Sequence, residues 1–137
     1  MSKAFQTFTI SQVAILIRNN KCLILEFADN PGYWGLPGGR IDQGEEWETA
    51  FRRELKEELN LVNFEIIDLI DFAAWYTQSG KAVSGVAYLI KNDHDPIKLS
   101  REHSQFAWAS ADELDNYHFI WPQATRMLLK GLTFKSQ

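Results

Sequence analysis

The sequence predicts an α/β protein, with a mixed central sheet and helices packed against it, in a single domain over residues 1–137. Three observations lead to that class. Short apolar runs bounded by turn residues recur along the chain, the segment after Gly44 has the spacing of an amphipathic helix, and a second such segment closes the sequence. No repeat, linker or low-complexity stretch divides the chain, and 137 residues suffice for one substantial core but hardly for two.

Each element has its own signal. Residues 8–17 carry Ile10, Val13, Ala14, Ile15 and Ile17 and are expected as a strand. The Asn19-Asn20 pair marks a turn, and Cys22 to Phe27 makes the second strand. Leu36-Pro37-Gly38-Gly39 reads as a rigid loop whose glycines permit positive φ and close approach of backbone to a ligand. Glu45 and Glu46, after Gly44, are expected in the first turn of a helix, where the dipole favours anions. Trp47, Phe51, Leu55 and Leu59 then form an apolar stripe, and Asn60 suits a left-handed C-terminal cap. Phe64 to Tyr76 and Ala82 to Ile90 read as strands around the Gln78-Ser79-Gly80 turn. Asn92 to Ser104 is expected as a polar loop, Phe106 to Trp108 as a short strand, and Ala111 as the start of a short helix. Ala124, Met127, Leu128 and Leu132 give Pro122 to Leu132 the pattern of a final amphipathic helix.

The chemistry concentrates on the first helix. Glu54 shares a helix face with Glu57 and Glu58, and like charges at that spacing cost roughly 0.2–0.5 kcal/mol per pair. The three also occupy the final turns, where the dipole disfavours anions by roughly 0.3–1 kcal/mol each. At about 100° per residue, Arg53, Glu54, Glu57 and Glu58 span an arc of about 140° beside the apolar stripe. A hard divalent cation is the natural compensating charge, since Mg²⁺ takes a few carboxylates, keeps some water and completes its shell with substrate phosphate.

The stretch from Gly39 to Leu61 resembles the Nudix box, which is a glycine, five residues, a glutamate, seven residues, and then Arg-Glu-apolar-x-Glu-Glu-x-Gly-apolar. The matching positions here are Gly39, Glu45, Arg53, Glu54, Leu55, Glu57, Glu58, Asn60 and Leu61. Asn60 alone departs, where the family has glycine. The resemblance extends more loosely to Trp34 through Gly39 and to Phe106-Ala107-Trp108 with the Asp-Glu-Leu that follows. It implies an α/β/α sandwich and a Mg²⁺- or Mn²⁺-dependent hydrolase of pyrophosphate links in nucleoside diphosphate derivatives. Carried over by position, it implies Glu54, Glu57 and Glu58 as metal ligands, joined by the main-chain carbonyl of Gly38. Arg53 becomes the partner that orients those glutamates, Glu45 and Gly39 structural members of the motif, and Arg40 a phosphate contact. Glu102 matches a loop glutamate that serves some members as an extra metal ligand or base, and Glu57 is the alternative base.

Substrate signals are thinner. The expected substrate is a nucleoside triphosphate, cleaved to the monophosphate and pyrophosphate. Dinucleoside polyphosphate or RNA 5′-end hydrolysis is the alternative, and a non-catalytic nucleotide-binding module is the reading of another class. No proline lies about fifteen residues beyond the box, where members that hydrolyse ADP-ribose often carry one. Tyr76 lies near a tyrosine of members acting on dinucleoside polyphosphates. Among Tyr33, Trp34, Tyr76, Phe119 and Trp121, any of which suits a base platform or plain packing, Tyr76 and Phe119 are the expected substrate-side residues.

Composition constrains partners. A net charge of −4 argues against a surface that grips nucleic-acid backbone, because such binding needs clustered Lys and Arg. Cys22 is the only cysteine and reads as a buried strand residue. His94, His103 and His118 lack close ligand spacing and read as solvated or structural rather than as a zinc site. With no signal peptide and no apolar run of membrane-spanning length, the expected setting is cytoplasmic, with a small nucleotide as partner and a homodimer as an allowed assembly.

Overall fold

In the computed structural model, which describes residues 4–135, Asn19 and Asn20 both take positive φ, 53° and 61°. Two such residues make the tight turn whose twist matches paired strands, so β1 (Thr9–Arg18) and β2 (Lys21–Phe27) leave it as a hairpin. The two strands then part. β1 pairs along Ser11 to Val13 with β4 (Gly38–Arg40), whereas β2 pairs at Leu25 and Glu26 with β3 (Tyr33–Gly35). This divergence opens the cleft described below.

On its other edge β1 runs parallel to β6 (Ala82–Lys91), which pairs antiparallel with β5 (Glu65–Tyr76) at the sheet margin. β2 also pairs with β7 (His103–Ala109), and β3 with the two-residue β8 (His118–Phe119). The sheet order is β5-β6-β1-β2-β3-β8, with β4 and β7 branching from β1 and β2. The mixed sheet expected from the sequence is therefore present. β7 is longer than the Phe106–Trp108 strand expected, because its register with β2 runs from Ala109 back to His103.

Val13 to Leu16 are buried in succession, which is the signature of a strand covered on both faces. Ala14 and Leu16 meet Phe51, Leu55 and Leu59 of helix α1 (Trp47–Leu59), while Val13 and Ile15 meet Met127 and Leu128 of α2 (Ala124–Leu132). The helices thus lie on opposite faces of the sheet. Gly131 lets α2 settle on β1, since a Cβ there would come within 2.6 Å of the Ile15 side chain. Cys22 is buried and its thiol donates to the Ala109 carbonyl at 3.3 Å; burial pushes its pKa up to about 11.

The start of α1 differs from expectation. Glu45 and Glu46 precede α1: Gly44, at φ 85°, closes a turn in which Glu45 N–H reaches the Asp42 carbonyl, and Glu46 is the N-cap, accepting from Glu48 N–H. The short helix after Ser110 is a 3-10 helix over Ala111–Asn116, held by the Ser110 and Glu113 capping box. The α1 C-terminus matches. Asn60 sits at φ 55° and ψ 32°, and Leu61 N–H returns to the Leu55 carbonyl, the Schellman arrangement.

Candidate active site

Helical phase sorts the α1 acids by depth. Glu58 follows Phe51 by seven residues and Leu55 by three, so it borders the core stripe and is only 6% exposed. Glu54 lies one step further round, and Glu57 is carried to the solvent edge. Burial pushes the Glu58 carboxyl up to about 8, with repulsion from Glu102, Glu54 and Glu57 adding to it and the Gly38 N–H, 3.0 Å from Oε1, opposing it. Burial raises Glu54 as well, against the pull of Arg53.

Arg53 ties the acids together. Its guanidinium donates two 2.7 Å bonds to Glu45, one of 3.0 Å to Glu54 and one of 3.3 Å to Glu57. The fork geometry suits a bidentate carboxylate pair, and these bonds hold Glu45 below the usual carboxylate range. Glu45 thus occupies the position of an Arg53 partner. A side chain at Gly39 would displace the Glu54 carboxylate, because a Cβ there would lie 2.2 Å from its carboxyl carbon. Gly38, at φ 150°, has no room either, with the Gln12 carbonyl 1.9 Å from the position of a Cβ.

The loop between β6 and β7 is fastened to the end of α1. Lys98 N–H donates to the Leu59 carbonyl at 3.0 Å, and Ser100 N–H donates to that of Glu58 at 3.1 Å. Both acceptors are carbonyls that a helix terminus leaves without partners. The Glu102 carbonyl then accepts from Ala28 N–H at 2.9 Å, which fixes the loop to the chain beyond β2. Among the described residues, Glu58, Glu102 and His103 bring ligating atoms within 4.8 Å of one another.

A cleft of about 400 Å³ opens between the parted strands, lined by Glu58, Glu102, His103, Gly38, Gly39 and Arg40 on its polar side and by Phe27, Leu36, Ile120 and Trp121 among its apolar residues. Arg40 thus lies on the cleft wall. Tyr76 and Phe119 do not line it. Trp75, its strand neighbour, points to the α2 side and meets Trp121 edge-on at 5.0 Å, so alternation sends Tyr76 to the other face. Phe119 pairs with Trp34 in the β3–β8 ladder and packs on the core. Of the five aromatics singled out in the sequence, Trp121 is the one on the cleft wall; Gly85 makes room for its ring, since a Cβ there would come within 2.6 Å. Histidine spacing gave no sign of His103, which meets the α1 acids only through the fold.

Residues 9–130 match the NUDIX domain. The chain belongs to the Nudix family. Nudix proteins of this kind are hydrolases of phosphorus-containing anhydrides, and this chain is one of them. It is similar to the nucleoside triphosphatase NudI of Salmonella newport, with 33% identity over 88% of this chain and 95% of that protein. Among solved structures, a Caenorhabditis elegans Ap4A hydrolase in a binary complex superposes with a TM-score of 0.77 at 25% identity, covering 89% of this chain and 93% of that one. The Escherichia coli dihydroneopterin triphosphate pyrophosphohydrolase shares the fold, with a TM-score of 0.78 at 16% identity over 93% and 98% of the two chains. The α/β/α arrangement is the Nudix fold.

Nudix hydrolases generally use divalent metals, and this donor set suits one. Glu58 is a buried carboxyl whose ionised form needs a positive neighbour, and Glu102 faces it across the cleft. Arg53 engages Glu54 and Glu57 with a single NH1 group, which leaves carboxylate lone pairs for further ligands. No helix among the described residues is long and apolar enough to cross a membrane.

Proposed function

We propose that this Nudix protein hydrolyses nucleoside triphosphates to the monophosphate and pyrophosphate, with Mg²⁺ or Mn²⁺ as cofactor. The observation that supports this reading is the cleft itself, lined by Glu58, Glu102 and Arg40 on one side and by Phe27, Leu36, Ile120 and Trp121 on the other. It agrees with the name of the NudI relative, whose length this chain nearly spans.

Bound metal supplies charge neutralisation for the phosphates and acidifies a coordinated water. Glu54, Glu57, Glu58 and Glu102 are the residues proposed to hold it, with the Gly38 carbonyl. The remaining work belongs to positioning, which dominates phosphoryl transfer. Arg40 faces the phosphates from the end of β4, Trp121 offers its ring to the base, and Arg53 fixes the orientation of Glu54 and Glu57. Glu102 accepts the proton of the attacking water or orients it; Glu57 is the second candidate, farther out on the rim. No covalent nucleophile is required, and the only cysteine is buried in the core. A retained, charge-dense glutamate set favours turnover over simple nucleotide sensing.

A product-resolved screen tests the assignment, with Mg²⁺ and nucleoside triphosphates, dinucleoside polyphosphates, triphosphorylated RNA, ADP-ribose and nucleotide sugars. Pyrophosphate and monophosphate formed fastest from triphosphates is the expected outcome. Faster turnover of any other class would replace the substrate, and no turnover of any would return the protein to the binding-module reading.

A further inference from the structure

We propose that His103 is a metal ligand, its imidazole Nδ1 joining the Glu58 and Glu102 carboxylates around one divalent cation and tilting the site toward Mn²⁺ over Mg²⁺. The inference rests on the metal-dependent reading above and adds a nitrogen donor to an all-oxygen set. Three observations meet at this residue.

His103 is 6% exposed, and its Nδ1 has no hydrogen-bond partner. Leaving a buried polar atom unpaired is costly, and native structures retain few such atoms. The same residue lines the cleft, with a ligating nitrogen within 4.8 Å of carboxylate oxygens from both Glu58 and Glu102. Ligands on opposite sides of an ion at about 2.1 Å are themselves about 4.2 Å apart, so small side-chain rotations close this triangle on a cation.

The ring is also held in place. It packs on Phe27 with centroids 5.1 Å apart, and the β2–β7 register shifts between Glu26 and Phe27, where His103 joins the strand. Such irregularities re-aim side chains near sites. Imidazole is a donor that Mn²⁺, Co²⁺ and Zn²⁺ accept readily, whereas Mg²⁺ favours oxygen.

The experiment uses the full chain and MnCl₂ alone. Bound Mn²⁺ is counted from the loss of the free-ion electron paramagnetic signal, and electron spin-echo modulation then reports ¹⁴N in the coordination shell. Wild type should show nitrogen coupling. His103→Gln should lose it and bind Mn²⁺ about tenfold more weakly, with a smaller change for Mg²⁺ measured by competition. His94→Gln and His118→Gln should retain the coupling. His103→Asp, which substitutes oxygen for nitrogen, should bind metal without coupling and shift preference toward Mg²⁺. Mn²⁺ bound to wild type with no ¹⁴N coupling, or coupling that survives in His103→Gln, overturns the proposal and leaves the carboxylate site standing. Absence of Mn²⁺ binding in wild type overturns both.

Discussion

Glu58 and Glu57 sit one residue apart yet face different solvents, the first buried against Gly38 and the second mostly exposed at the rim. Their neutralisation should nonetheless have the same functional result. Glu57→Gln and Glu58→Gln should each lower hydrolysis about a hundredfold or more, since each removes charge from the proposed metal shell. Neither should unfold the metal-free protein, because a repulsive cluster loses one member. Steady-state rates at saturating Mg²⁺ with thermal melts check both halves, and wild-type turnover in either variant would refute the assignment. Glu102 offers a sharper test. If it orients or deprotonates water, Glu102→Gln should cost roughly 10²–10⁴-fold in kcat; an effect of only a few-fold would move that role to Glu57.

The C-terminal cap of α1 is a property of the element. Asn60 holds a left-handed conformation that glycine adopts freely and a β-branched residue does not. Asn60→Gly should therefore melt at or slightly above wild type, while Asn60→Val should lose about 1–2 kcal/mol. Equal stability of the two variants would contradict the cap. Packing of α2 on β5 carries a second element-scale expectation. Burial by itself would raise Asp71, but bonds from Arg126 at 2.9 Å, Lys130 at 3.2 Å and Phe72 N–H outweigh it and hold the carboxyl below its ordinary range. A depressed carboxylate stabilises the fold above its unfolded pKa near 3.8, and that increment is lost as pH falls through the folded value. Because Arg126 and Lys130 are half-exposed, Asp71→Asn should cost only about 1 kcal/mol at pH 7. Urea unfolding at pH 7 and at pH 3 should show the gap between variant and wild type narrowing in acid; a gap independent of pH would exclude the linkage.

At the scale of the molecule, the site exists because three distant segments are fastened together: the α1 carboxylates, the β3–β4 glycines and the loop ahead of β7. Lys98 and Ser100 amides, bonded to the last carbonyls of α1, should exchange hydrogen as slowly as strand amides although they lie in a loop. Rapid exchange at both would mean that Glu102 is not held against Glu58. The Glu102 prediction above depends on this fastening, so the two measurements should agree.

The 3.6-residue period of α1 and the fixed spacing of its acids are local facts, and they make the helix, its Asn60 cap and the Arg53–glutamate cluster legible in the sequence. The buried run of β1 and the Asn19-Asn20 turn were legible for the same reason, since backbone conformation and side-chain facing follow from neighbours in sequence. The sequence by itself thus determined the family, the glutamate-bearing helix and most of the elements. Where two segments meet was a different matter. Glu45 left the helix because a turn at Gly44 competed with it, β7 lengthened because β2 offered it a partner, and Tyr76 faced away because its phase was set by pairing with β6. Tertiary structure alone decided that Trp121 walls the cleft and that His103 joins Glu58 and Glu102. Those contacts span tens of residues, and their free energy comes from burial and strand pairing that no local pattern encodes.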